Sequence, residues 1–81
     1  MTDTDTFLRA IGKRVRLARL VREMTQAELA DAAGMSRSFV SLIEHGTHGV
    51  DIVRLHRLAA ALGMPLVDLV AEPDERVPRL S

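Results

Sequence analysis

Two residues, Gly34 and Met35, separate the end of one helical pattern from the cap of the next, and this short link constrains the fold more than any other feature of the chain. Upstream of it, Thr25-Gln26-Ala27-Glu28 reads as a capping box, with the Thr25 hydroxyl and the Glu28 carboxylate each taking the other's backbone N–H. Met24 and Leu29 bracket that cap as a hydrophobic staple, and Gly34 supplies the left-handed residue that a tight stop needs. Downstream, Ser36 caps the next helix, Met35 and Val40 form its staple, and the pattern runs to His45 before Gly46. A third start of the same kind follows at Asp51, stapled by Val50 and Leu55. Helices joined by so short a link must cross steeply, which leaves one side of the second helix free.

The flanks complete an all-α reading. Leu8, Ile11, Val15 and Ala18 make an apolar stripe on a first helix from Thr6 to Glu23. Leu17, Leu20 and Val21 fall off that stripe and either pack beneath the last helix and the tail, which is the expectation, or form a partner-binding patch. Ile52, Leu55, Leu58, Ala59 and Leu62 give the fourth helix its buried stripe, closed by Gly63. Pro65 sets the first turn of a short fifth helix from Leu66 to Ala71. The expected organisation is a disordered N-terminus over 1–5, one compact five-helix domain over 6–72, and a C-terminal tail over 73–81 marked by Pro73 and Pro78.

Composition narrows the function classes. A chain of 81 residues without cysteine has no disulfide framework and no Cys-rich zinc site. Met1 to Thr6 is polar and acidic, unlike a secretory signal, and no apolar run approaches bilayer length, so a cytoplasmic protein without a membrane partner is expected. Phe7 and Phe39 are the two aromatic residues, which is too few for a platform that stacks unpaired bases. Net charge is zero but polarised: six of the eleven basic residues lie between Arg9 and Arg22, and four of the eleven acids between Asp68 and Glu75. No Gly-rich phosphate loop, zinc-protease helix or nucleophile elbow occurs, so no enzyme is expected. His45 and His48 with Glu44 lack a third dedicated ligand, so neither metal nor cofactor is expected.

The segment Gln26-x-x-Leu29-Ala30, Gly34-Met35-Ser36, Val40-x-x-Ile43-Glu44-His45-Gly46 resembles the helix-turn-helix of the Cro/CI, or Xre-like, repressor family. The resemblance continues upstream through Ile11-Gly12-x-Arg14-Val15-Arg16-x-x-Arg19, and downstream through Leu55-x-Arg57-Leu58-Ala59-x-Ala61-Leu62-Gly63 and Leu66-x-x-Leu69. It implies a lambda-repressor-like DNA-binding domain in which Ala30 is small where helices 2 and 3 approach. Leu29, Met35, Val40 and Ile43 would then point inward. It also implies that Arg19 and Glu44 form a structural ion pair tying helix 1 to the end of helix 3.

By the same resemblance, the outward side of helix 3 is the reading face: Ser36, Arg37, Ser38, Ser41 and Leu42. Arg37 either donates twice to guanine O6 and N7 or meets a phosphate. Ser36 is chiefly a cap. Ser38 and Ser41 suit close approach to base or phosphate, and Leu42 either touches a thymine methyl or is incidentally exposed. Gln26 opens helix 2, whose start faces the DNA backbone in the family, or is simply a solvated helix-start residue. His45, Thr47 and His48 occupy a loop that contacts backbone in relatives. That loop often carries Arg or Lys, so phosphate affinity here is expected to be weaker near neutral pH and to rise as the histidines protonate. Arg9, Lys13 and Arg16 read as solvated or long-range steering charges.

These features imply a regulator of transcription, most simply a repressor, acting as a homodimer on palindromic double-stranded DNA, with Val67 of helix 5 in the dimer contact. The alternative is an antitoxin or controller protein of a two-gene module that also binds a protein partner. An adaptor that kept the fold without binding DNA stands behind both.

Overall fold

The computed structural model describes residues 3–71, which form five helices: α1 (Thr4–Val21), α2 (Gln26–Ala33), α3 (Arg37–His45), α4 (Ile52–Ala61) and α5 (Leu66–Val70). Their starts follow the cap chemistry. Thr25 Oγ1 accepts from the Glu28 amide at 3.0 Å while Glu28 Oε1 accepts from the Thr25 amide at 2.8 Å. Ser36 Oγ takes the Phe39 amide at 3.1 Å, and Asp51 Oδ1 takes that of Arg54 at 2.9 Å.

A fourth side-chain cap lies where disorder was expected. Asp3 Oδ1 accepts from the Thr6 amide at 2.8 Å, so α1 begins at Thr4 and residues 3–5 belong to the domain. That hydrogen bond holds the Asp3 carboxyl below its ordinary value. The expected tail, 73–81, lies outside the described residues.

Helices α1, α2 and α4 end in one way, with a left-handed residue and an amide reaching back five residues. Met24 donates to the Arg19 carbonyl, Met35 to Ala30 and Met64 to Ala59, at 3.1, 2.9 and 3.0 Å. The left-handed positions are Glu23 (φ 56°), Gly34 (φ 70°) and Gly63 (φ 66°). α1 therefore stops at Val21, short of the expected Glu23.

One core joins the helices. Val15 of α1, Leu29 of α2, Val40 and Ile43 of α3, Leu58 and Leu62 at α4 and Leu69 of α5 are all inaccessible or nearly so. Each such side chain contributes roughly 1.5–3 kcal/mol by leaving water. α1 lies so close to the end of α3 at Gly12 that a Cβ there would stand 2.3 Å from the Ile43 carbonyl oxygen. α5 is held to α1 by Leu69 and by Arg14, whose Nη1 donates to the Leu69 carbonyl at 2.9 Å.

Two packing expectations are corrected. Leu17, Leu20 and Val21 are 52%, 49% and 79% exposed rather than covered. α1 has 18 residues and α5 only five, so the short helix shields a fraction of the long one. Ile52 is 61% exposed although it continues the α4 stripe. Ile52 is the first residue of α4 and lies one turn before Leu55, the first buried residue of that stripe.

Candidate nucleic-acid interface

The junction of α2 and α3 sets the interface. Gly34 turns the chain in the left-handed conformation, and Leu29, Ala30 and Ala33 on one side meet Val40 and Ile43 on the other. With those residues inward, Arg37, Ser38 and Leu42 face outward and Ser41 is half-buried. These four, together with Gln26 from the start of α2, line one open groove of about 310 Å³. The oxygen of Ser36 is engaged as the α3 cap, so that residue serves the helix start.

Behind this face lies a nearly dry polar cluster. Arg19 Nε donates to Glu44 Oε2 at 2.7 Å and Nη2 to Oε1 at 3.0 Å, with side-chain exposures of 10% and 4%. Arg19 Nη1 donates to the Met24 carbonyl at 2.9 Å. The hydrogen bonds it donates to Glu44 hold the guanidinium above its ordinary value, against the opposing effect of burial. Gln26 belongs to the same cluster, because its Nε2 donates to Glu44 Oε1 at 3.1 Å. It is a half-buried amide with one proton committed to Glu44.

His45 lies beside this cluster in a second groove, with Arg16, Arg19, Gln26 and Glu44. Its Nδ1 is 2.8 Å from the Ser41 carbonyl, which fixes the ring and leaves Nε2 for other partners. Thr47 and His48 are exposed in the loop before α4 and border neither groove. Val67 is 60% exposed on α5. Among the described residues, no group of three or more His, Cys, Asp and Glu is placed to hold a metal ion, and no helix is long and apolar enough to cross a membrane.

The helix-turn-helix domain family matches residues 10–72, from the second turn of α1 past the end of α5. The chain belongs to the helix-turn-helix family of Cro/CI-like regulators. Membership makes it a DNA-binding regulator. This helix-turn-helix protein is 34% identical over 62 residues to the immunity repressor protein of Bacillus phage phi105, covering 76% of this chain but 43% of that one. The restriction-modification controller protein C.AhdI from Aeromonas hydrophila superposes with a TM-score of 0.75 at 34% identity, over 76% of this chain and 94% of that one. SinR, a master regulator for biofilm formation solved in complex with DNA, superposes with a TM-score of 0.70 at 30% identity, over 73% of this chain and 95% of that one.

Three features escaped the sequence reading. The Gln26–Glu44 bond and the Arg14–Leu69 bond join residues 18 and 55 positions apart, a kind of pairing that periodicity does not report. Arg54 lies 5.1 Å above the Phe39 ring and also pairs with Asp51 at 2.6 Å, bracing the first turn of α4 against α3. A signal for the third existed in the sequence, since Asp51 and Arg54 stand three apart at a helix start.

Proposed function

We propose that this protein is a sequence-specific regulator of transcription, most simply a repressor, that binds palindromic double-stranded DNA as a homodimer in the cytoplasm. The observation that carries the reading is the outward face of α3, where Arg37, Ser38, Ser41 and Leu42 share one groove with Gln26. Arg37 is the first residue of the helix, the end that helix-turn-helix proteins direct at base edges. An arginine there takes guanine O6 and N7 together and discriminates by roughly 1–3 kcal/mol. The SinR–DNA complex among its structural neighbours supports the same reading.

Pairing is proposed through α5, with Val67 in the contact, which would set two α3 helices about 34–36 Å apart on successive turns of the duplex. His45, Thr47 and His48 would approach the backbone. A second reading is favoured by the similarity to a restriction-modification controller: regulation within a two-gene module whose other product is a protein partner, an arrangement that an antitoxin would share.

The test is selection from a pool of random duplexes, sequenced after enrichment at two salt concentrations. An inverted repeat, lost in Arg37→Ala, is the expected result. Weak binding without enrichment would refute sequence-specific reading and direct attention to a protein partner.

A further inference from the structure

We infer that Arg16 of α1 is a DNA-backbone contact at the margin of the reading face, an inference that rests on the DNA-binding reading above. In the sequence, Arg16 is one of a run of basic residues on α1, with nothing to separate it from Arg9 and Lys13. The fold separates them. α1 crosses the carboxyl end of α3 at Gly12, and Arg9 lies against Gly46 just beyond that end. One turn past the crossing, Arg16 borders an open groove of about 360 Å³ with Arg19, Gln26, Glu44 and His45. Gln26 lines this groove and also the one that holds Arg37, Ser38, Ser41 and Leu42. The reading face therefore continues from Arg37 through Gln26 to Arg16, while Lys13 borders neither groove.

The charges in the groove leave Arg16 available. Both oxygens of Glu44 are engaged, Oε2 by Arg19 Nε, and Oε1 by Arg19 Nη2 and Gln26 Nε2. That carboxylate is matched by the Arg19 guanidinium, and the pair contributes no net charge. His45 has its Nδ1 at the Ser41 carbonyl. Arg16 has no ion-pair partner among the described residues, so the excess positive charge of the groove is its own. A guanidinium with unused donors beside a groove of mutually satisfied groups fits a phosphate, whose oxygens it can take in a bidentate fork. The competing structural role is complementing the carbonyl end of α3, which would act on stability and not on the salt dependence of binding.

The experiment uses the full chain and two duplexes, one of random sequence and one recovered by selection, with affinity measured from about 50 to about 200 mM salt. Arg16→Ala should lower the slope of log K against log salt by about 0.9 for each protomer on the duplex, the share of one phosphate, and so by about 1.8 for a bound homodimer. It should weaken both duplexes by the same factor and leave the melting midpoint where it was. Arg16→Lys should recover the slope, and Lys13→Ala should not change it. A wild-type slope in Arg16→Ala, a slope lost equally in Lys13→Ala, or a loss that tracks a fall in melting midpoint would each overturn the assignment. The two readings fail separately. Wild-type protein that binds both duplexes equally refutes sequence-specific reading, yet the slope on random duplex still decides Arg16. Protein that binds neither duplex refutes both.

Discussion

Glu44→Ala is the substitution that most directly tests how the reading helix is held. The carboxylate accepts three hydrogen bonds, two from Arg19 and one from Gln26, and its side chain is 4% exposed. Removing it leaves a guanidinium in a nearly dry position with the Met24 carbonyl as its remaining partner, and leaves the Gln26 amide without one. Loss of one partner from a buried ion pair costs about 3–5 kcal/mol, because the surviving charge stays desolvated. A domain of this size has roughly 5–15 kcal/mol in all. At about 4–8 °C per kcal/mol, the melting midpoint should fall by about 12–40 °C. Circular dichroism at the helix band during heating, with urea titration at a fixed temperature, measures both quantities. The paired replacement Arg19→Met with Glu44→Leu removes both charges and should be clearly more stable than Glu44→Ala, since no unpaired ion remains. A melting midpoint for Glu44→Ala within about 4 °C of wild type would refute the desolvation argument, because that shift corresponds to about 1 kcal/mol or less.

Four further outcomes follow from the backbone and the caps. Gly12→Ala should destabilise by about 1–3 kcal/mol or more through overpacking, because its Cβ would meet the Ile43 and Glu44 carbonyls; Gly34→Ala has open space and should cost about 1–2 kcal/mol for its left-handed conformation alone, both read by urea titration. Glu23 holds a left-handed conformation that favours glycine, so Glu23→Gly should raise stability by up to about 1 kcal/mol, and an unchanged or lower denaturation midpoint would count against strain there. The Asp51 carboxyl lies below its ordinary value of 3.8, chiefly because it accepts the Arg54 amide and then the Arg54 side chain. Its contribution is complete above the ordinary value and is lost as pH falls through the lowered native one, whereas Asp51→Asn caps without titrating; stability of wild type relative to that variant should therefore decline on acidification, as pH-dependent melts would record.

Much of the fold was legible because it is written in short-range chemistry. Thr25, Ser36 and Asp51 each act within three residues, and the link at Gly34 and Met35 is local too. Errors arose where the outcome depended on how far a partner element reaches. Leu17, Leu20 and Val21, expected beneath the last helix and the tail, stay exposed beside a five-residue α5, and Ile52 obeys the α4 period in a first turn that precedes the first buried residue, Leu55. Asp3 is an exception of a different kind. It is a cap residue with no apolar residue beside it to announce a helix, and the polar run Thr2 to Thr6 concealed the start.

The site shows the same division, with a consequence for how the protein is built. The outward residues of α3 follow from subtracting its apolar stripe, so Arg37, Ser38, Ser41 and Leu42 are accessible to periodicity. The place of Gln26 is not, because it depends on the angle at which three helices meet. That angle is fixed from two sides. Apolar contact at Ala30 and Ile43 closes α2 onto α3, and Gly12 lets α1 close onto the end of α3 from the other direction. Glu44 stands at the meeting point and binds α1 through Arg19 and α2 through Gln26, with Oε1 shared between them. A single carboxylate oxygen thus fastens the start of the supporting helix to the end of the reading helix. The residues that touch DNA in the proposed complex, Gln26 and Arg37 above all, keep their spacing through a group that touches no DNA itself. Changes in the polar cluster should therefore reach recognition by displacing Gln26 from the groove it shares with Arg37, even in variants that remain folded.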